Sequence, residues 1–355
     1  MSATSPVPPP PTRVNPWQPG QLLVVGFEGT DAVPADLAER IAQGRVGGVI
    51  LFRRNVRDPA QLRALVEALH ACAPADVPLI VSIDQEGGRV QRLRDPWTEW
   101  PPMRSFGAGD PARTEAFAKA LATELGGVGV NLDFAPVVDV DSNPDNPVIG
   151  DRSFARDPET VIRHARAFVQ GLQGAGVAAC AKHFPGHGDT SVDSHLDLPR
   201  IDHELERLRR LELLPFAAMV EAEIASMMSA HVLFPKLDPK RPGTLSPAVM
   251  GLLRDELGYG GLVFTDDLEM GAVAKHWTPK DRALLPLEAG VDALLVCHSA
   301  DLREEMLEHI ERAPDATVEA ALERMVAYKR RWARRGRYGD EGAPPYPEHR
   351  ALAGL

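Results

Sequence analysis

The chain has 355 residues, 44% of them hydrophobic and 25% charged, which is an ordinary globular composition. Its net charge of −11 argues against a general binder of nucleic acid or anionic membranes, because such proteins need a basic surface. No apolar run approaches the ~20 residues that a membrane-spanning helix needs. Three scattered cysteines, Cys72, Cys180 and Cys297, are predicted to be free thiols in a reducing compartment.

The first twenty residues, "MSATSPVPPPPTRVNPWQPG", are rich in proline. This composition predicts an extended lead-in over 1–20. The segment has no basic stretch followed by an apolar one, so it does not have the pattern of a secretory signal. We therefore expect a cytoplasmic protein.

Eight short apolar runs follow along the chain. Each is nearly continuous and rich in Val, Ile, Leu or Ala, which is typical of a strand buried on both faces. The runs occupy 21–27, 47–52, 78–84, 130–140, 177–184, 225–234, 260–268 and 292–297.

Helical patterns separate these runs. The segments at 58–73 and 157–176 open with Asp-Pro, and the segment at 246–261 opens with Ser-Pro, which are favourable helix starts. A further helix over 202–222 contains Pro215, which is expected to kink or split it. The segment 317–337 is predicted to be a final basic amphipathic helix with a solvated face.

Eight strands alternating with helices are typical of a parallel (β/α)₈ (TIM) barrel. An open doubly wound sheet is the main alternative, but "VVGFEGTDA" after the first strand lacks the spacing of a nucleotide-binding glycine motif. We predict an α/β protein with one catalytic barrel over 21–338, a C-terminal helical extension and a tail over 339–355.

Ionisable residues accumulate where the apolar runs end. In a (β/α)₈ barrel these ends meet at one mouth, where active sites lie. A helix cap, a surface ion pair or a satisfied core histidine could explain each one singly, but not at five or more strand ends together. The residues are Asp84, Asp133, Asp139, Lys182, His183, His231, Asp266 and Asp267.

The loop "AKHFPGHGDTSVDSHLDLP" at 181–199 carries the highest density of such groups. Its histidines and aspartates could bind a divalent metal, although their spacing matches no tight ligand motif. A carboxylate at one strand end with a proton donor on a loop would instead suit the cleavage of a glycosidic bond. A sugar-binding barrel without catalysis is the third possibility.

"KHFPGHGDTSVDSH" resembles the signature of family 3 glycoside hydrolases of the bacterial β-N-acetylglucosaminidase type. "DQEGGRVQRLR", "NPVIGDRSF", "MMSAH" and "VFTDDLEM" resemble its other blocks, in the same order. The resemblance covers about 25–300. It implies a cytoplasmic (β/α)₈ enzyme that releases N-acetylglucosamine from anhydro-muropeptides during cell-wall recycling. A β-glucosidase or glycoside phosphorylase of the same family remains an alternative.

The resemblance also implies roles for individual residues. Asp266 in "FTDD" would be the nucleophile, and Asp193 with His195 in "DSH" would be the acid/base pair. Because successive strand residues alternate faces, only one aspartate of "TDD" is expected to point into the mouth. The residues implied to bind the sugar are Asp84, Arg92, Arg152, Lys182, His183 and His231.

A histidine acid/base departs from the usual pair of carboxyl groups. An imidazole can give and take a proton near neutral pH, and Asp193 could orient His195 and stabilise its protonated form. His187 is predicted to organise the loop. We expect no metal, no cofactor, no nucleic-acid or membrane partner, and a monomer or weak homo-oligomer acting on a small carbohydrate.

Overall fold

Eight parallel strands close into a barrel in a computed structural model of the protein, which describes residues 18–191, 194, 197–333 and 343–354. This closed barrel confirms the predicted fold class. Each strand pairs with its neighbours in the parallel sense. In chain order the strands are β1 (Leu23–Val25), β2 (Gly48–Leu51), β3 (Ile80–Ile83), a two-stranded antiparallel hairpin of β4 (Gln85–Gly87) and β5 (Val90–Gln91), β6 (Leu132–Asp133), β7 (Ala178–Phe184), β8 (Ser226–Ser229), β9 (Leu262–Asp267) and β10 (Ala293–Val296).

Helices pack around the barrel, and their apolar sides share one continuous core with the strands. Within the described parts of the chain, no helix is both long and apolar enough to cross a bilayer. The helices are α1 (Ala35–Ala42), α2 (Pro59–Cys72), α3 (Arg104–Gly107), α4 (Pro111–Gly127), α5 (Pro158–Gly174), α6 (Leu205–Arg210), α7 (Leu213–Glu221), α8 (Pro247–Gly251), α9 (Gly271–Ala274), α10 (Pro279–Ala289), α11 (Ala300–Glu311), α12 (Asp315–Trp332) and α13 (Pro347–Ala353).

The predicted helix starts are confirmed. The side chain of Asp58 accepts a hydrogen bond from a backbone N–H in the first turn of α2, and Asp157 does the same for α5. Ser246 caps α8 in the same way. In all three helices proline is the first residue, where its missing N–H leaves no hydrogen bond unmade.

The helix predicted over 202–222 is split, but the break precedes Pro215. The first part, α6, ends at Arg210, and α7 begins at Leu213. Pro215 therefore lies in the first turn of α7, where its missing N–H is tolerated. The helix predicted over 246–261 is shorter than expected: α8 passes into one π-helical turn at Leu252–Glu256.

The fourth barrel strand is much shorter than the predicted run 130–140. Only Leu132–Asp133 forms a regular ladder, and Pro136 interrupts it because proline cannot donate the next ladder hydrogen bond. Beyond this point Val137 makes a single bridge to Lys182, and the Val138 N–H donates to the Lys182 carbonyl at 2.9 Å.

The β4–β5 hairpin follows β3 directly at the mouth of the barrel. Gly87 and Gly88 form its turn with φ of +93° and +57°, a region that favours glycine. A Cβ on Gly87 would lie 2.5 Å from the Pro101 carbonyl oxygen. The Gly88 N–H donates to the Trp100 carbonyl at 2.7 Å, and the Trp100 N–H donates to the Gln91 side chain at 3.2 Å. The hairpin is therefore held closely against the segment that follows it.

The C-terminal part contains more structure than a tail. Within 343–354, α13 contacts α4. His349 Nδ1 lies 2.8 Å from Oε1 of the buried Glu124, and its ring stacks on Tyr346 with centroids 4.8 Å apart. Arg350 pairs with Asp95 at 2.6 Å. The apolar pattern did not predict this helix because its contacts are mainly polar and aromatic.

Candidate active site

A cavity of about 320 Å³ opens at the carboxyl ends of the barrel strands. Polar groups from several strand ends meet there, as expected for this fold. Both charged and apolar side chains line it. The lining residues are Ile50, Phe52, Asp84, Glu86, Val90, Arg92, Phe134, Val148, Arg152, Lys182, His183, His187, Ser194, Met228, Asp266, Asp267, Met270, Leu295, Cys297 and His298.

Asp84, at the end of β3, lies between two cations. Its Oδ1 accepts a hydrogen bond from Lys182 Nζ at 2.8 Å, and its Oδ2 accepts one from Arg92 Nη2 at 3.0 Å. Burial opposes ionisation, but the charges of Lys182 and Arg92 outweigh it and hold the pKa of Asp84 well below its usual range. The carboxylate is thus a fixed acceptor facing the cavity.

Glu86, on β4, forms the second carboxylate of this network. Its two oxygens accept hydrogen bonds from Arg152 at 2.9 Å each, and Lys182 Nζ lies 2.6 Å from Oε1. Burial raises the pKa of Glu86, but the charges of Arg152 and Lys182 lower it to about 2. The same carboxylates raise the pKa of the buried Lys182 above its usual value, so all four groups are charged at neutral pH.

Asp139 holds the start of the 183–191 segment. Its Oδ2 lies 2.7 Å from His183 Nδ1 and accepts the His183 backbone N–H at 3.1 Å. Its Oδ1 accepts the His187 backbone N–H at 2.7 Å. Burial opposes ionisation of Asp139, but the charge of His183 outweighs it and lowers the pKa. Asp139 therefore fixes the position of His183, which lines the cavity.

Asp266 lies near the end of β9 and lines the same cavity. Its Oδ1 accepts the Asp267 backbone N–H at 2.8 Å. Burial raises the pKa of Asp266, but the charges of His183 and His231 outweigh it, and the net pKa is lowered. Asp266 is consequently an anion inside a largely enclosed site.

Asp267 also lines the cavity, so the prediction that only one of the two aspartates would do so is wrong. The reason is an irregularity in the β9–β10 register. Phe264 pairs with Ala293, but Asp267 pairs with Leu295, so β9 contains one extra residue and its side-chain alternation is broken. Burial, together with the nearby charge of Glu269, raises the pKa of Asp267 to about 7.

His231 lies behind the cavity wall rather than in it. Its Nε2 donates to the Asp267 carbonyl oxygen at 3.0 Å, and its Nδ1 lies 2.9 Å from Thr244 Oγ1. The ring is buried, and burial lowers its pKa. This placement differs from the predicted sugar contact, because both ring nitrogens already have partners. His231 supports the strand end that carries Asp266.

Asp193 and His195, the predicted acid/base pair, lie outside the described residues. Ser194, between them in the sequence, lines the cavity. Its Oγ lies 3.2 Å from His187 Nε2, and His187 Nδ1 lies 2.8 Å from Thr190 Oγ1. His187 thus makes hydrogen bonds within the loop.

The arrangement combines a half-buried carboxylate, Asp266, with a set of fixed donors and acceptors of both signs. Such groups can hydrogen-bond the hydroxyls of a polar ligand, and Asp266 is available to react with it. Across 18–191, 194, 197–333 and 343–354, no three His, Cys, Asp or Glu side chains are grouped so that they could hold a metal ion.

Sequence reasoning brought Asp84, Arg92, Arg152, Lys182, His183 and Asp266 together correctly, since all six line the cavity. It missed Glu86 as a site residue, and it placed Asp139 at the mouth without giving it a role. Glu86 follows Asp84 by two positions in "DQEGG", and this period places two extended residues on one face. Asp139 ends the fourth apolar run, and its role depends on the backbone of a distant loop.

Comparison with known proteins places the chain in a family. The model of the glycosyl hydrolase family 3 N-terminal domain matches residues 18–327. A β-hexosaminidase of Thiobacillus denitrificans is 44% identical over 310 residues, which cover 85% of each chain.

Solved structures agree with this assignment. A family 3 β-N-acetylglucosaminidase from Paenibacillus superposes with a TM-score of 0.88 at 40% identity, covering 96% of this chain and 68% of that one. NagZ from Neisseria gonorrhoeae, in complex with N-trifluoroacetyl-D-glucosamine, gives a TM-score of 0.79 at 33% identity, covering 94% of this chain and 96% of that one. The chain therefore belongs to glycosyl hydrolase family 3 and is a glycoside hydrolase.

Proposed function

We propose that this enzyme is a retaining exo-β-N-acetylglucosaminidase that works through a covalent glycosyl-aspartate. Asp266 is the nucleophile, and His195 with Asp193 forms the acid/base pair. The observation that carries the proposal is a half-buried Asp266 with a lowered pKa, in a cavity that the charged network of Asp84 and its partners also lines. A carboxylate must be ionised to attack a sugar carbon, and this one is.

In the first step a carboxylate oxygen of Asp266 attacks C1 of the sugar and forms an ester bond. The C1–O bond to the leaving group breaks, and the departing oxygen takes a proton from protonated His195. Asp193 stabilises the positive charge of His195 before the transfer, as a carboxylate does for a histidine base in other hydrolases.

In the second step neutral His195 removes a proton from water. The water oxygen attacks C1, and the ester bond to Asp266 breaks. Two inversions at C1 give net retention, and both catalytic groups return to their starting states. A histidine in this role also avoids placing a second anion beside the nucleophile.

The network of Asp84, Arg92, Arg152, Lys182 and His183 supports recognition of the sugar hydroxyls. These side chains are already held in place by hydrogen bonds within the protein, so they do not have to be ordered when the sugar binds. The cavity volume, about 320 Å³, is near the lower end of the ~300–1,000 Å³ range of small-molecule sites. This volume suits one sugar residue and favours action at a chain end.

The names of the relatives support the N-acetylated sugar. The curated relative is a β-hexosaminidase, and one solved neighbour holds an N-acylated glucosamine. We propose peptidoglycan fragments carrying terminal N-acetylglucosamine as the natural substrate. We also propose a cytoplasmic location, which the three free cysteines support.

The decisive experiment compares 4-nitrophenyl β-N-acetylglucosaminide with the corresponding β-glucoside, each with and without phosphate and a chelator. We expect hydrolysis of the first substrate to be at least tenfold faster, with no effect of either additive. The first-formed sugar should be the β-anomer by NMR. Preference for the glucoside would indicate a β-glucosidase, and a phosphate-dependent sugar 1-phosphate would indicate a phosphorylase.

His195→Ala provides the matched test of the acid/base assignment. Added azide needs no general base, so it should accelerate breakdown of the glycosyl-enzyme in this variant and yield a β-glycosyl azide. The wild type should not respond to azide. Sugar binding without turnover by the wild type would favour a binding barrel, and chelator sensitivity would restore the metal hypothesis.

A further inference from the structure

Ser194 is held to the cavity wall from two sides. Its carbonyl oxygen accepts the Ala272 backbone N–H at 3.1 Å, which links it to α9, just beyond the strand that carries Asp266. Its Oγ lies 3.2 Å from His187 Nε2. Both Ser194 and His187 are about 2% exposed, so water does not compete freely for this hydrogen bond.

The hydrogen bonds around Thr190 favour one position for the proton of His187. The Thr190 hydroxyl donates to the His187 carbonyl oxygen at 3.1 Å and also accepts from Asn146 at 3.2 Å. We assign its only proton to the carbonyl contact, so that the hydroxyl accepts from His187 Nδ1 at 2.8 Å. In this assignment His187 carries its proton on Nδ1.

It follows that His187 Nε2 is an acceptor and that the Ser194 hydroxyl donates to it. Burial, together with the neighbouring His183 charge, lowers the pKa of His187 to about 4, so the ring is neutral at physiological pH. A neutral imidazole that carries its proton on Nδ1 can accept one hydrogen bond, at Nε2.

His187 itself is fixed by the strand end. Its backbone N–H donates to Asp139, which also holds His183. The next residue, Gly188, passes so close to the backbone that a Cβ would lie 1.7 Å from the Val140 carbonyl oxygen. The acceptor that Ser194 uses is thus part of the rigid barrel mouth.

We propose that His187 and Ser194 are positioning residues for the acid/base step: the Ser194–His187 hydrogen bond fixes the loop at the point between Asp193 and His195. This inference rests on the proposed function, which assigns those two neighbours to proton transfer. Ser194 itself takes no part in that transfer.

The effect should be confined to proton transfer. Removing the hydroxyl leaves the backbone contact with Ala272 but allows residue 194 to turn away from His187. A hydrogen bond of this kind shifts the equilibrium between the held and the turned position by roughly a factor of ten. The productive arrangement of the acid then becomes rarer. Lys182 and His183 lie on β7, which leads into this loop, but they are held by carboxylates of other segments, Asp84 and Asp139. Sugar binding should therefore be unaffected.

The test compares Ser194→Ala with Ser194→Thr, which keeps the hydroxyl. For each we would measure kcat/KM with 4-nitrophenyl and with unsubstituted phenyl β-N-acetylglucosaminide. We expect Ser194→Ala to lose roughly tenfold on the phenyl substrate, whose leaving group needs a proton, and less than about threefold on the nitrophenyl substrate. Ser194→Thr should recover most of the loss, and inhibition by N-acetylglucosamine should stay unchanged in both.

A second variant protects the test against a folding failure at position 194. Thr190→Val keeps the side-chain shape but removes the acceptor for His187 Nδ1–H, so the ring can adopt the other tautomer and lose its acceptor at Nε2. It should show the same selective loss on the phenyl substrate. Equal losses on both substrates, a parallel change in N-acetylglucosamine affinity, or no loss in either variant would overturn the proposal.

His195→Ala, assayed beside these variants, distinguishes a failure of the positioning role from a failure of the acid/base assignment. A selective loss in His195→Ala without one in Ser194→Ala would overturn only the positioning role. Without such a loss in His195→Ala, the acid/base assignment would fail, and this inference with it. A wild type that turns over neither substrate would contradict the proposed function itself.

Discussion

Two buried clusters of carboxylates and cations lie at opposite ends of the barrel strands. At the amino end, Asp292 accepts hydrogen bonds from Arg254 at 2.6 Å, from Arg324 at 2.7 Å and from the Val263 N–H at 2.8 Å. At the carboxyl end, Asp84 accepts from Lys182 and Arg92. Both carboxylates thus have two cationic partners.

The clusters differ in what surrounds them. Asp292 is fully enclosed, and burial raises its pKa in spite of two arginines. The side chain of Asp84 is 16% exposed toward the cavity, and its pKa is lowered. Similar charged residues therefore stabilise the fold where every carboxylate oxygen has a protein partner. They can bind a ligand where they face an open cavity.

The largest effect should come from the carboxyl end. Asp266→Ala should lower kcat on the order of 10⁴-fold or more, as loss of a group central to covalent catalysis does. Circular dichroism and the unfolding temperature should change little. Asp267→Asn, one residue away, should lose much less activity. If Asp267→Asn were the more damaging substitution, the nucleophile would be misassigned.

A substitution in the amino-end cluster should lower stability and leave activity nearly unchanged. Asp292→Ala leaves Arg254 and Arg324 without their carboxylate, and breaking a buried ion pair typically costs ~3–5 kcal/mol. The free energy of unfolding in urea should fall by about this amount, while kcat/KM of the folded enzyme should stay within about twofold. The exposed Asp255→Asn is the control. Large losses of activity in folded Asp292→Ala would remove the contrast between the two ends.

Lys182 tests whether the carboxyl-end charges bind ligand. Lys182→Met leaves Asp84 and Glu86 with one arginine each, so the pKa of both carboxyl groups should rise. We expect the affinity for N-acetylglucosamine, measured by calorimetry, to fall roughly 10- to 100-fold, because charged hydrogen bonds are worth ~1.5–3 kcal/mol. The exposed Lys280→Met is the matched control, and equal affinity in the two variants would place Lys182 outside the sugar site.

The last prediction concerns the pH dependence of stability. The pKa of Asp267 is raised to about 7 in the folded state, so its protonated form favours folding. This contribution is complete below the unfolded pKa of about 3.9 and is lost as the pH rises through 7. Asp267→Asn should therefore gain stability relative to wild type between pH 4 and pH 7, by a few kcal/mol at most, with no further gain above. If the free energies of unfolding of the wild type and of Asp267→Asn differed by the same amount at every pH, the raised pKa of Asp267 would be contradicted.

The sequence predicted the barrel and much of the cavity because both depend on local pattern. Apolar runs marked the strands, and a charged residue at the end of a run must lie at the mouth. Asp84, Lys182 and Asp266 could be placed in this way. Their roles in binding and catalysis remain predictions, because they came from the family resemblance.

Other features could not be predicted because they depend on contacts between distant segments. The second cavity-facing aspartate, Asp267, follows from a register change against β10. The C-terminal helix is held by a contact between His349 and Glu124, 225 positions apart. The end of α6 at Arg210, before Pro215, likewise follows no local signal that we recognise.

The turn of the β4–β5 hairpin has a consequence for laboratory evolution. Gly87 and Gly88 have positive φ, and an added methyl group at Gly87 would meet the Pro101 carbonyl at 2.5 Å. Libraries randomised at these positions should return mostly inactive clones, although Glu86 beside them lines the cavity. Val90 and Val148 line it without belonging to the charged network, so an altered sugar preference is better sought there.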